Sequence, residues 1–345
     1  SASAGFADPA AHATDNAVHS ELAAAVPPAK GTRVAVALVR RGAGVRYLDN
    51  GLAREAHQPW SSTKVLAAAH AASFLRALPG GALGLDATEE GAPPLQLSDL
   101  LTLVTTYASE QNATLPSSNS LGAYFHALGG HAAANSYLHR TIGGADDESF
   151  GGNYGENIPV SLGYSLHPAG GGAATALTPD PTPAPHISNH MSCLTMAEWR
   201  RRIVFTREAS NGADGLTWTY SQALRYGAER SVEFPPLQWG GMTQANDVYQ
   251  QAALNMSAVD ERRRWRIFSK SGFGRSSTEA PGKFQATLNS YACLPATAKG
   301  EPIADAGLEF TLSASVTADT GALADQLLQE IVTNTTRYLQ RHYDA

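Results

Sequence analysis

The stretch that decides the fold is HQPWSSTKVLAAAHAASFLRAL, from His57 to Leu78. Proline at 59 disfavours helix in the residue before it, so a helix can open only after His57-Gln58. From Ser61 the chain is helical in character up to Leu78, where Pro79-Gly80-Gly81 stops it. Ser61 and Lys64 stand at positions i and i+3, which share one helix face. A lysine held neutral by burial can take the proton of such a serine. The apolar run Val65 to Ala72 would bury the lysine stem, and the unpaired N–H groups of the helix start favour developing negative charge. Serine and threonine are also ordinary helix caps, so the motif needs support from elsewhere in the chain.

Upstream, Val34, Val36 and Leu38 alternate, Gly42-Ala43-Gly44 turns, and Val45 to Leu48 returns, which predicts a hairpin over 32–50. A helix over Ala17 to Val26 is expected before it. Downstream, Ser98 to Tyr107, Ser120 to Leu128 and His131 to Thr141 read as three helices. Residues 143–192, with paired glycines and prolines at 168, 179, 181, 183 and 185, make a long irregular excursion of the kind that more often serves a site than decorates a surface. Helix is expected again at Thr195 to Arg207 and Ala245 to Ala258. Strands follow at Trp265 to Ser269, Phe284 to Cys293 and Leu308 to Val316, then an amphipathic helix from Ala322 to Leu339. The strand groups at the two ends are expected to pair into one antiparallel sheet with helices on its faces. That is an α/β (α+β) fold in a single domain over 1–345, with an α/β lobe at about 10–60 and 260–345 and an all-helical lobe at about 61–258.

Lysine is scarce, with five in the chain at 30, 64, 270, 283 and 299. One sits in Lys270-Ser271-Gly272, directly after the expected strand at 265–269, where the glycine would leave room for a substrate backbone to pair alongside. A strand-end turn with a solvated lysine is the plainer reading of the same residues. Between the two lysine motifs lies Ser117-Ser118-Asn119, opening an apolar stretch that ends in Gly129-Gly130. Ser109 with Asn112 is a competing placement for an S-x-N motif.

S-x-x-K at a helix start, S-x-N between, and K-[ST]-G on a late strand, in this order, resemble the serine β-lactamases and penicillin-binding DD-peptidases, and the class A β-lactamases most. The resemblance covers nearly all of the chain. It implies that Ser61 is the acylated nucleophile, Lys64 its base or proton relay, Ser117 a shuttle to the leaving group and Asn119 a donor to the substrate amide carbonyl. Lys270 and Ser271 would hold a substrate carboxylate, with Gly272 beside them, and the amides of Ser61 and Phe273 would form the oxyanion hole. Ser118 stands where the family usually has aspartate, and Ser271 where threonine is commoner. The E-x-x-[LI]-N setting of the deacylating glutamate in class A enzymes is missing; the nearest residue is Glu156, in GGNYGENIP, which also reads as a plain surface carboxylate. The resemblance therefore implies a serine acyl-enzyme hydrolase acting on a β-lactam or related carboxylate-bearing amide, including peptidoglycan-like peptides. DD-peptidase, transpeptidase, esterase and non-catalytic ligand-binding variants of the scaffold remain alternatives.

Composition sets the outer bounds. With 345 residues, 43% of them hydrophobic, the chain can bury a sizeable core. A net charge of −6 and a single short basic cluster, Arg262-Arg263-Arg264 with Arg266, argue against nucleic acid as a partner. No apolar run approaches the roughly 18 residues that a membrane span needs. No leader pattern stands at the N-terminus, and the expectation is a secreted or periplasmic protein whose signal has been removed. Cys193 and Cys293 are compatible with one disulfide or with two buried thiols, and no motif suggests a metal or another cofactor.

Overall fold

The computed structural model describes residues 17–40, 44–78, 87–89, 94–106, 115–156, 162–168, 171–177, 189–204, 266–276, 280–298 and 301–343. Its frame is a six-stranded sheet in the order β1-β3-β2-β9-β8-β7. The strands are β1 (Val18–His19), β2 (Thr32–Arg40), β3 (Gly44–Asp49), β7 (Arg266–Arg275), β8 (Phe284–Ala298) and β9 (Glu301–Ala318). All neighbours run antiparallel except β1, which pairs parallel with β3. The hairpin expected over 32–50 is present as β2 and β3, with Val36 opposite Leu48. The helix expected over Ala17 to Val26 is replaced by β1 and a 3-10 turn, Ser20–Ala24. Pro27-Pro28 caps that segment, which leaves too few residues to propagate a helix, and only Leu22 and Val26 of it are buried.

Period-two alternation gives each sheet face its own core. Val34, Val36 and Leu38 of β2 pack with Leu312, Ala314 and Val316 of β9 beneath the C-terminal helix α6 (Gly321–Tyr343), through its Leu328, Ile331, Val332 and Leu339. Ala35 and Ala37 face the other way, onto Leu194 and Ala197 of α5 (Cys193–Val204). The small side chains of β2 let α5 lie close. Asn289 Nδ2 and Thr311 Oγ1 donate to the α5 carbonyls of Met196 and Ala197, at 3.0 and 2.8 Å, and tie the helix to the sheet. Glu198 of α5 is buried with Arg201, Arg202 and the Tyr47 hydroxyl around it. Although burial opposes its charge, the guanidinium of Arg201, then that of Arg202, and the tyrosine hydroxyl hold its carboxyl below the usual range.

Met196, Trp199 and Ile203 on the opposite side of α5 belong to a second, helical core. Its centre is α1 (Lys64–Arg76), whose Val65 to Ala69 are fully buried, as befits a helix apolar all round. Around it lie α2 (Leu97–Thr106), α3 (Ser118–Gly129) and α4 (His131–Ser136), the last continuing into a π-helical turn over Tyr137–Ile142. The excursion at 143–192 contributes two short strands, β5 (Ser165–His167) and β6 (Thr175–Ala176), which form a small sheet with β4 (Thr88–Glu89). Cys193 and Cys293 are not disulfide-bonded. The helix expected at Ala245 to Ala258, the alternative motif at Ser109 and Asn112, and the cluster at Arg262 to Arg264 lie outside the described residues.

Candidate active site

The strand carrying Lys270 runs on to Arg275, six residues beyond the end expected at Ser269, so the motif occupies the middle of β7. β7 is an edge strand of the sheet. Lys270, Ser271 and Gly272 pair with Asn289, Leu288 and Thr287 of β8 on one side. The turn that carries Ser61 packs against these strands. It is a 3-10 turn over Trp60–Thr63, with α1 starting only at Lys64.

Three contacts fix that turn. The Pro59 carbonyl accepts from Ser62 Oγ at 2.6 Å and from Thr287 Oγ1 at 2.8 Å, and Trp60 Nε1 donates to Gln285 Oε1 at 3.1 Å. Trp60 takes φ 51°, the one non-glycine residue with positive φ among those described. Such a conformation costs on the order of 1–3 kcal/mol and persists only where surrounding contacts over-determine it, often at a functional site. Gly272 completes the fit. A Cβ there would meet the Pro59 carbonyl oxygen at 2.6 Å, the Ser61 amide nitrogen at 2.7 Å and Thr287 Oγ1 at 2.7 Å. The space that a side chain at Gly272 would need is taken by the Ser61 turn, whose amide lies against β7. Gly274 does the same for the Trp60 ring, which a Cβ would meet at 2.4 Å.

Lys64 is almost fully buried at the first position of α1. Its ammonium donates to Ser118 Oγ at 3.3 Å and, at close range, to Asn119 Oδ1. Burial lowers its pKa to about 8, against the opposing influence of the Glu156 carboxylate. With a pKa of about 8, Lys64 is mostly protonated at neutral pH and loses its proton in the mildly basic range. The neighbours of Lys64 on α3 are Ser118 and Asn119, whereas Ser117 is the N-cap of α3, accepting from the Ser120 amide at 3.1 Å. Ser118 is buried and donates to the Val104 carbonyl at 2.7 Å, so its hydroxyl is committed on both sides.

Glu156 reaches the same group of residues. Its carboxylate accepts from the Ser117 hydroxyl and, at 2.8 Å, from Asn119 Nδ2. It is exposed. Asn119 thereby bridges the Lys64 ammonium and the Glu156 carboxylate. Beneath it lies Tyr154, unforeseen in the sequence although only two residues from Glu156. The Lys64 ammonium is 5.7 Å from its ring centre, its hydroxyl is 3.0 Å from Thr63 Oγ1, and a Cβ at Gly122 would strike its ring at 2.8 Å. Burial pushes the Tyr154 hydroxyl pKa well up, so it stays protonated. Asn189 secures the segment, accepting from the Gly152 amide at 2.9 Å and donating to Thr63 Oγ1 at 3.3 Å.

Lys270 is fully buried, with its ammonium donating to the Ser271 carbonyl at 3.1 Å. Burial, then the charges of Lys64 and Arg200, push its pKa well down. An anion beside it would offset the repulsion from Lys64 and Arg200. Phe273, next along β7, is half exposed and stacks on Phe284 with ring centres 5.6 Å apart.

Comparison with solved structures supports the same architecture. The chain matches a mutant of the class A β-lactamase of the last common ancestor of Gram-negative bacteria, with a TM-score of 0.52 and 16% identity, covering 94% of this chain and 99% of that one. The fold is that of the class A β-lactamases. β-Lactamases of Vibrio parahaemolyticus (TM-score 0.47, 13% identity, 90% of this chain and 94% of that one) and Burkholderia vietnamiensis (0.48, 14%, 90% and 93%) also align. No family model matches the sequence, and no curated protein does. Within this β-lactamase fold, no helix among the described residues is long and apolar enough to cross a membrane, and no group of metal-ligating side chains is gathered.

Proposed function

We propose that the protein is a secreted or periplasmic serine acyl-enzyme hydrolase built as one domain, with Ser61 as nucleophile and Lys64 as its base. The observation that carries this reading is Lys64 itself, buried one turn from Ser61 with a pKa of about 8, at a turn clamped against Gly272. In acylation the Ser61 oxygen bonds to the carbonyl carbon, the C–N bond breaks, and the serine proton passes by way of Lys64 and Ser117 to the leaving nitrogen. Ser117 is assigned the relay because Ser118, which touches Lys64, is buried and committed to Val104, whereas Ser117 is less buried with its hydroxyl on Glu156 and needs a solvent molecule or a side-chain movement to meet Lys64. The amides of Ser61 and Phe273 receive the oxyanion, Asn119 the substrate amide carbonyl, and Lys270 with Ser271 the substrate carboxylate.

Glu156 is the candidate for activating the water that releases the acyl group. A second reading has its own support: Tyr154, a protonated phenol, fills the space beside Lys64, and the exposed Glu156 is engaged by Ser117 and Asn119. That favours slow release, or transfer of the acyl group to another nucleophile as in a transpeptidase. The test is a fluorescent penicillin followed by mass spectrometry. A Ser61 adduct lost in Ser61→Ala supports the reading, and its lifetime separates hydrolase from slow acylator. If penicillin is neither bound covalently nor turned over while p-nitrophenyl esters are cleaved, the scaffold serves an esterase. If neither reacts, it serves as a ligand-binding module.

A further inference from the structure

Glu156 carries a charge that the acylation step does not use. Among the described residues, its carboxylate meets two neutral donors, Ser117 Oγ and Asn119 Nδ2, and makes no direct ion pair. It is exposed, and a carboxylate has about four acceptor positions, so it retains capacity for a further donor arriving from solvent. The rest of the site is cationic: Lys64, Lys270 and Arg200 are buried within electrostatic reach of one another.

The carboxamide of Asn119 fixes where that spare capacity points. Its oxygen is taken by Lys64, and its nitrogen has two hydrogens, one of them on Glu156. The other is the donor assigned above to the substrate amide carbonyl. Two acceptors sharing one amide nitrogen at N···O distances of about 2.9 Å lie roughly 5 Å apart. A substituent on the carbon next to that carbonyl therefore falls beside the Glu156 carboxylate.

We propose that Glu156 is a specificity residue that selects substrates bearing a primary ammonium α to the amide carbonyl held by Asn119, that is, aminoacyl amides with a free amine. The substrate is then a zwitterion, its carboxylate at Lys270 and Ser271 and its ammonium at Glu156. This inference rests on the acyl-enzyme reading of Ser61.

Three penicillins that differ only at that α carbon supply the probe: ampicillin with an ammonium, benzylpenicillin with hydrogen and carbenicillin with a carboxylate. The readout is the second-order rate of Ser61 adduct formation by mass spectrometry at low ionic strength. In the wild-type protein ampicillin is expected to exceed benzylpenicillin by about threefold, the size that an exposed ion pair sustains, with carbenicillin slowest. Raising the salt should shrink the spread, since exposed charges are screened. In Glu156→Gln the ampicillin-to-benzylpenicillin ratio should fall to about one, and in Glu156→Lys carbenicillin should overtake ampicillin. Adducts that form with the same ratios in all three proteins overturn the proposal and leave Ser61 as nucleophile. No adduct and no turnover of any of the three overturns the acyl-enzyme reading, and the proposal with it.

Discussion

Replacing Gly272 with alanine inserts one methyl group where three polar atoms already stand. The new carbon would lie 2.6 Å from the Pro59 carbonyl oxygen and 2.7 Å from both the Ser61 amide nitrogen and Thr287 Oγ1. Two of these are backbone atoms of the nucleophile turn, itself clamped by Ser62, Trp60 and Thr287, so relief requires the turn to move off β7. Overpacking of this kind costs about 1–3 kcal/mol. If the Ser61 amide is an oxyanion donor, its displacement should lower acylation by about 10²–10³-fold, the effect of losing one such donor. Gly144→Ala is the control: its Cβ would meet Glu148 Oε2 at 2.7 Å and Leu138 Cγ at 3.0 Å, a milder crowding against side-chain atoms away from Ser61. Denaturant unfolding and the rate of penicillin adduct formation should separate the two. Both variants should lose stability, and only Gly272→Ala should lose acylation by two orders of magnitude or more. Wild-type acylation in a folded Gly272→Ala protein would refute the assignment of the Ser61 turn, and equal losses in both variants would reduce the effect to general destabilisation.

Further outcomes follow from the same geometry. Adduct formation should rise with pH as Lys64 loses its proton, with a midpoint at about 8, and the midpoint should fall in Glu156→Gln because the carboxylate that favours the charged lysine is gone; a flat profile between about pH 6 and pH 10 would remove Lys64 as base. Ser117→Ala should lower acylation by about 10²–10⁴-fold if it relays the proton, and Ser118→Ala by less, because it removes only the contacts that position Lys64 against α3; the reverse order, in the same adduct assay, would hand the relay to Ser118. Glu198→Gln should cost about 3–5 kcal/mol in denaturant unfolding, because Arg201 and Arg202 would be left buried without their carboxylate. The depressed pKa of Glu198 contributes stability above the usual carboxylate range, lost as pH falls through its folded value, so the wild-type protein but not the variant should lose this increment in acid.

Local signals in the sequence carried far because they are the ones that short-range physics writes. The alternation of Val34, Val36 and Leu38 predicts β2, and the proline before Trp60 with the apolar run after Lys64 predicts α1; neither depends on a distant partner. The expected helix at Ala17 to Val26 failed where a parallel pairing with β3, invisible from either segment alone, competed with a short apolar pattern. Lys64 lies against Ser118 and Asn119 at the start of α3. Which serine it meets depends on where α3 begins: capping by Ser117 turns that hydroxyl to Ser120 and Glu156, leaving Ser118 to face Lys64.

The missed residues share one physical feature, in that their roles are set by what presses on them from far along the chain. Trp60 is strained because Gln285, 225 residues away, holds its indole, and because Gly274 leaves space for the ring. Gly272 reads from sequence as room for a substrate, and nothing in its spacing shows that residues 59 and 61 also press on its Cβ position. Tyr154 stood two residues from the acidic residue singled out in the same loop, yet nothing in its spacing marks it as the group lying beside Lys64. A glycine and an aromatic flanking a suspected nucleophile thus carry the information that motif spacing omits. The strain at Trp60 and the close approach at Gly272 act on the same turn, so the double variant Gly272→Ala with Trp60→Gly should lose less stability than the sum of the two single losses, because glycine adopts positive φ freely and the turn, freed of its indole clamp, can yield to the new methyl group. Strict additivity in denaturant unfolding would show that strain and crowding are independent, and that the turn is not a single clamped unit.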